Sequence, residues 1–192
     1  MKEKDFEYLK KIVLASLDGL SPHLTYHSKG HTIDVIEQSI RIAKAEGIGG
    51  HDLLALKIAA LFHDNGFLRT YQNHEAMGCK IFLEHVEGLG FSDEDKDKIQ
   101  ALIMATKIPQ MPQTHLQQII CDADLDYLGR PDFFDTGNNL RKEFMYYKVV
   151  TSDEDWMKLQ LNFLSHHRYH TRTSQELREP AKQRYLARLI EG

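Results

Sequence analysis

Apolar positions recur at the three-to-four-residue spacing of an amphipathic helix along almost the whole chain. Phe6, Leu9, Ile12, Val13 and Leu17 mark a first helix that ends at Gly19 and Pro22, and Ile33, Ile36, Ile40 and Ile42-Ala43 mark a second that ends at Gly47. The third segment is different in kind. From Leu53 to Phe62 it is an apolar run broken only by Lys57, which reads as a buried helix, and His63-Asp64 closes it just before the helix-breaking Asn65-Gly66.

Ile81, Phe82, Leu83 and Val86 follow, stopped by Gly88 and Gly90. Ser92 with acids behind it starts a helix that carries Ile99, Leu102 and Ile103 and is closed by Pro109 and Pro112. Leu116, Ile119, Ile120 and Asp124 share the next helix, punctuated by Gly129-Arg130-Pro131 before an aromatic segment from Phe133 to Tyr147. Ser152-Asp153-Glu154-Asp155 starts another helix, and Thr173-x-x-Glu176 is a capping-box pattern for the last, with Pro180 limiting or bending it. No alternating strand pattern, glycine-rich phosphate loop or internal repeat interrupts this series, so the expected fold is all-α.

Within that helical frame, three segments carry ligand-type side chains. His63-Asp64 offers an imidazole and a carboxylate at a buried helix end. A divalent ion needs at least three protein ligands, so others must come from elsewhere. Upstream, Tyr26-His27-Ser28-Lys29-Gly30-His31 has two histidines four apart, which share a face if both sit in the first turn of the following helix. Downstream, Cys121-Asp122-Ala123-Asp124-Leu125-Asp126 sets acids in an apolar stretch, and a carboxylate inside a helix core needs hydrogen-bonding partners or a cation, of which a cation is the more economical. A second His-Asp pair, His51-Asp52, follows Gly49-Gly50 and precedes the apolar run, so Asp52 reads as an N-cap or first-turn acid of that helix.

The order of these motifs, H then HD then D, resembles the HD-domain metal-dependent phosphohydrolases, over most of the first 130 residues. The resemblance implies a single-domain helical bundle over 1–192, with a motif-bearing core at about 20–130 and the helices of 131–192 packed on it. It implies His31, His63, Asp64 and Asp124 as ligands of one divalent transition-metal ion (manganese, iron, cobalt, nickel or zinc). Asp124 is chosen over Asp122 and Asp126 because it sits between a small and an apolar residue, as Ala123-Asp124-Leu125, which leaves the other two as supporting or solvent-facing acids. The implied reaction is hydrolysis of a phosphate ester, on a nucleotide or another small phosphorylated metabolite, by a metal-activated water whose proton goes to Asp64 or Asp124.

Tyr26-His27-x-x-x-His31 is also similar to a segment of the cyclic-nucleotide phosphodiesterases, and this implies His27 as the proton donor to the leaving group, with Glu75 as the other candidate. His74-Glu75-Ala76-Met77-Gly78 resembles the second-metal segment of two-metal relatives, but no histidine stands near Ala105-Thr106-Lys107 to complete such a site. One metal is therefore expected, with His74 and Glu75 as phosphate contacts or proton shuttle. Arg69, Lys107, Arg168, Tyr169 and Thr171 are further candidate contacts, the last three from the cluster His166-His167-Arg168-Tyr169-His170-Thr171. Alternatives are a cyclic-nucleotide-type phosphodiesterase, a di-iron oxygenase of the same helical core, and a catalytically weak nucleotide-binding regulatory module.

Composition narrows the partners. A formal charge of −4 over 192 residues offers no basic face for long nucleic acid. Cys79 and Cys121 sit in apolar helical patterns and read as reduced core residues. The start of the chain, Met1-Lys2-Glu3-Lys4-Asp5, lacks an apolar leader and no segment is long enough to span a membrane, so a cytosolic protein with no membrane partner is expected.

Overall fold

The computed structural model describes residues 1–191, which form ten α-helices and no strand. In chain order these are α1 (Glu3–Ser16), α2 (Lys29–Ala45), α3 (Gly50–Phe62), α4 (His74–Val86), α5 (Asp93–Ala105), α6 (His115–Asp124), α7 (Phe133–Tyr146), α8 (Asp153–His166), α9 (Arg172–Leu177) and α10 (Glu179–Glu191). Short 3-10 turns at Leu17–Gly19, Asn65–Leu68 and Asp126–Gly129 redirect the chain between them. None of the described helices is long and apolar enough to cross a membrane.

Local chemistry explains several of the helix starts. The side chains of Ser28, Ser92, Thr114 and Ser152 each accept a hydrogen bond from a backbone N–H of the first turn that follows. The capping box expected at Thr173 is displaced by two residues: Thr171 caps α9 by accepting from the Ser174 N–H, while the Thr173 N–H donates to Glu46. Pro180 falls in the first turn of α10, where a missing N–H costs nothing, and the chain breaks just before it.

Helix α3 is the hub. From Leu54 to Phe62 every residue but Lys57 is buried, and α1, α2, α4, α5 and α6 all pack against it. Two glycines let α4 cross close to its end. A Cβ on Gly78 would lie 2.7 Å from the Phe62 carbonyl oxygen, and one on Gly66 would lie 1.9 Å from that of His74. The polar end of α3 and the start of α4 are thereby forced together. At the far end of α3, His51 bonds to Asp95 at 2.6 Å and Asp52 pairs with Lys98, so the second His-Asp pair holds helices together at the surface.

A second apolar cluster, containing Leu128, Phe133, Leu164 and Tyr169, joins α7, α8 and α10 to the Asp126–Gly129 turn. Two acids anchor this layer, Asp126 and Asp122, and both are buried, which removes the solvent-facing alternative and leaves the supporting one. Asp126 is fully buried and receives a two-pronged hydrogen bond from Arg178, at 2.9 Å on each oxygen, and another from Arg41 at 2.8 Å. Asp122 accepts from the backbone N–H groups of His170 and Thr171 and from the Thr171 hydroxyl. The two cysteines are free, buried thiols, and burial pushes the Cys79 pKa up to about 11.

The C-terminal layer also contains a buried cation. The Lys182 ammonium has no exposed surface and donates to the His167 carbonyl at 2.6 Å, approaches His167 Nδ1 at 3.2 Å and pairs with Glu179. Burial, reinforced by the Lys182 charge, pushes the His167 pKa down to about 3. The unfolded chain therefore takes up a proton at His167 first, so this site contributes stability above pH ~6.5 that is lost progressively as pH falls toward 3. Chemical denaturation of wild type and His167→Asn between pH 7.5 and 5 should show the variant with a flatter pH dependence, by up to about 1.4 kcal/mol per pH unit. Parallel curves for the two proteins would assign the acid sensitivity elsewhere.

Candidate metal centre

Four side chains from three places in the sequence converge at the inner end of α3. His63 ends α3, Asp64 leads into the turn that follows, His31 lies in the first turn of α2, and Asp124 is the last residue of α6. Asp124 is thus at a helix end rather than within a helix, with its carboxylate 14% exposed. The ligand atoms of His31, His63 and Asp124 all lie within 4.8 Å of one another. Asp64 joins them, its Oδ2 lying 3.2 Å from His63 Nε2 and 3.5 Å from His31 Nε2.

The orientation of these groups suits a cation. His63 Nδ1 lies 2.8 Å from the Ala60 carbonyl oxygen, which requires the ring proton on Nδ1 and leaves the Nε2 lone pair directed at the cluster. That lone pair faces His31 Nε2 at 3.4 Å and Asp124 Oδ1 at 3.6 Å. Asp64 Oδ2 is buried and has no hydrogen-bond partner, a costly condition that a cation between the two imidazoles and two carboxylates relieves. The donor set, two nitrogens and two carboxylates, fits a transition metal.

Electrostatics inside the cluster are strongly coupled. Burial opposes ionisation of Asp64, but the charges that His63 and His27 carry when protonated outweigh it and hold its pKa well below the usual carboxylate value; a cation in the cluster would take the place of the His63 Nε2 proton and meet the lone pair instead. Asp124 is likewise held down, to about 2, by hydrogen bonds from His31 and His63 that overcome its burial. Both carboxylates are therefore anionic at neutral pH, as a metal site requires.

His27 does not share a helical face with His31 as the four-residue spacing predicted, because α2 begins only at Lys29 and Ser28 caps it. A residue far along the chain positions it instead. Glu143 on α7 is fully buried: its Oε2 accepts from the backbone N–H groups of Tyr26 at 3.0 Å and His27 at 3.1 Å, and its Oε1 pairs with His27 Nδ1. The His27 Nε2 is left as the free ring nitrogen. Burial works against the His27 imidazolium, but Asp64 and Glu143 together raise its pKa above the ordinary value. Phe67, from the turn after Asp64, stacks on the His74 ring at 3.9 Å and lies 4.5 Å from the His27 ring, so one side chain orients two histidines.

A cavity of about 310 Å³ opens beside the cluster, bordered at one end by Tyr26, His27, Asp64, His74, Glu75 and Asp124. His74 Nε2 is 3.4 Å from Asp64 Oδ1 and 3.5 Å from Glu75 Oε1. The candidate phosphate-binding cations are absent from its lining. Arg69 is exposed and held in a two-pronged pair with Glu84, Lys107 is exposed beside Asn73, and Arg168 caps the carbonyls of Ser165 and His167. Tyr169 is buried with its hydroxyl donating to the Leu125 carbonyl at 3.1 Å, and Thr171 is committed to Asp122; both hold the C-terminal layer in place.

Two residues near the site escaped the sequence reading. Glu143 lies 116 positions from His27, and its only local signal is an acid among the apolar positions of the aromatic segment. Gln110, in the loop between α5 and α6, donates to Asp124 Oδ2 at 3.2 Å and leaves Oδ1 to face the imidazoles. Nothing in the spacing of a loop glutamine signals that contact.

No curated protein and no solved structure gave a match to the chain. A family model described as HD domain matches residues 29–126, which includes His31, His63, Asp64 and Asp124 and excludes His27, Glu143 and the last four helices. The match covers just over half of the chain, and the protein belongs to the HD-domain family.

Proposed function

We propose that the protein is a phosphohydrolase that cleaves a small phosphate ester with water at one divalent transition-metal ion held by His31, His63, Asp64 and Asp124. The observation that carries this reading is Asp64 Oδ2, buried and unpartnered between two imidazole nitrogens, at the end of a cavity that also presents His27 and His74. HD-domain proteins generally are metal-dependent hydrolases, which supports the same reaction class.

A divalent cation held by His31, His63, Asp64 and Asp124 would supply a water nucleophile at neutral pH and would polarise the phosphoryl group. Asp64 or Asp124 would accept the proton that this water loses. His27, held by Glu143 through Nδ1, presents Nε2 to the cavity and donates a proton to the leaving oxygen. His74 and Glu75 border the same space and contact the phosphoryl oxygens or relay the proton. Thr106 lines the cavity where a second cation would need another imidazole, so a single ion and hydrolysis, not oxidation by two irons, are favoured.

Protein purified without chelator should carry about one transition-metal ion per chain. Panels of nucleotides, cyclic nucleotides, sugar phosphates and simple esters, assayed with manganese, cobalt or nickel, should reveal hydrolysis that His63→Ala and Asp124→Ala abolish together with the metal. Activity surviving in either variant would place the site elsewhere, and two irons with oxygen consumption would replace hydrolysis with oxidation. His27→Ala should slow esters of poor leaving groups by roughly 10²- to 10⁴-fold and p-nitrophenyl phosphate far less. Glu143→Gln should show the same leaving-group dependence, smaller in size; equal losses on both ester types would mean that His27 donates no proton.

A further inference from the structure

We infer that the preferred ester carries a single phosphate on an apolar alcohol, and that the part of the cavity beyond the metal ligands is the subsite for that alcohol; this rests on the phosphohydrolase reading. The cavity runs from the ligand cluster into a chamber walled by Leu128, Leu140, Phe144, Trp156, Leu159 and Phe163. These side chains come from the Asp126–Gly129 turn, α7 and α8. All of them lie beyond residue 126, where the family match ends, so the chamber is built from this chain's own C-terminal segment.

Charge points the same way. No lysine or arginine lines the cavity among the described residues. The cation and the two histidines at its mouth match one phosphoryl group, and nothing further along offsets the additional charges of a nucleoside di- or triphosphate. A sugar phosphate fares no better, because each buried hydroxyl needs a hydrogen-bond partner. Beyond the ligand cluster the polar groups of the lining are few, the Tyr127 hydroxyl and the amides of Gln160 and Asn162, and Asn162 is exposed. An alkyl or aryl group requires no such partners and gains by leaving water. The cavity volume of about 310 Å³ falls in the range of small-molecule sites.

Trp156 is the single tryptophan of the chain and lines the chamber, so its fluorescence reports occupancy independently of turnover. Metal-loaded protein should be titrated with hexylphosphonate, which has no ester bond to cleave, and with ribose 5-phosphate. The first should change Trp156 emission saturably and the second should not. Ethyl, butyl and hexyl phosphate release alcohols of similar acidity, so a rise in kcat/KM along the series reads the chamber and not the chemistry. The expected rise from ethyl to hexyl is at least about tenfold. Leu140→Gln and Leu159→Gln, both at partly buried positions, should flatten that rise with an unchanged circular dichroism spectrum. A flat series, or a preference for adenosine monophosphate or ribose 5-phosphate with an unresponsive Trp156, overturns the inference and leaves the phosphohydrolase reading standing. A saturable, chain-length-dependent Trp156 response in protein that hydrolyses no ester supports the apolar subsite and overturns the phosphohydrolase reading instead.

Discussion

Helix α3 has almost no polar face, so other helices must close around it, and five do. That constraint decides the fate of its two ends. The N-terminal end reaches the surface, where His51 and Asp52 find partners on α5. The C-terminal end cannot reach water, and His63 and Asp64 are carried into the middle of the molecule. Gly66 and Gly78 then bring α4 against this end, and with it His74.

Buried acids must be satisfied, and this protein meets the requirement differently at each. Asp126 is matched by two arginines, Asp122 by two backbone N–H groups and a hydroxyl, and Glu143 by two backbone N–H groups and an imidazole. Those three lock the later helices onto the earlier ones. Asp64 and Asp124 are different, because the groups that face them are histidine nitrogens whose lone pairs are themselves ligands. A cation would satisfy all four at once, which separates this candidate site from the structural anchors although both are buried carboxylates.

The two halves of the chain divide the work. The segment matched by the family model supplies the four ligands, while α7 supplies the glutamate that aims His27, and α7 with α8 supply the apolar chamber. In the proposed reaction, positioning of the proton donor and selection of the leaving alcohol would therefore both depend on helices outside the shared motif. On that reading, a change in α7 or α8 would alter which ester is hydrolysed without touching the proposed ligands.

Helical periodicity, the end of the apolar run at His63-Asp64 and the order of the motifs were legible in the sequence, because each depends on residues close together along the chain. The same locality separated His63-Asp64 from His51-Asp52: one ends the buried helix and the other begins it. Residues joined only by folding were not legible. Glu143 reaches His27, Gln110 reaches Asp124, and Arg178 takes up Asp126 through contacts that no local spacing encodes. The candidate cations misled for the same reason, since Arg69, Lys107 and Arg168 are ordinary surface charges until the fold shows that they are committed elsewhere. Sequence alone determined which side chains could bind a metal; only the tertiary structure decided which acids face histidine nitrogens and which are taken up by arginines and backbone N–H groups, because pairing is a property of three-dimensional neighbours.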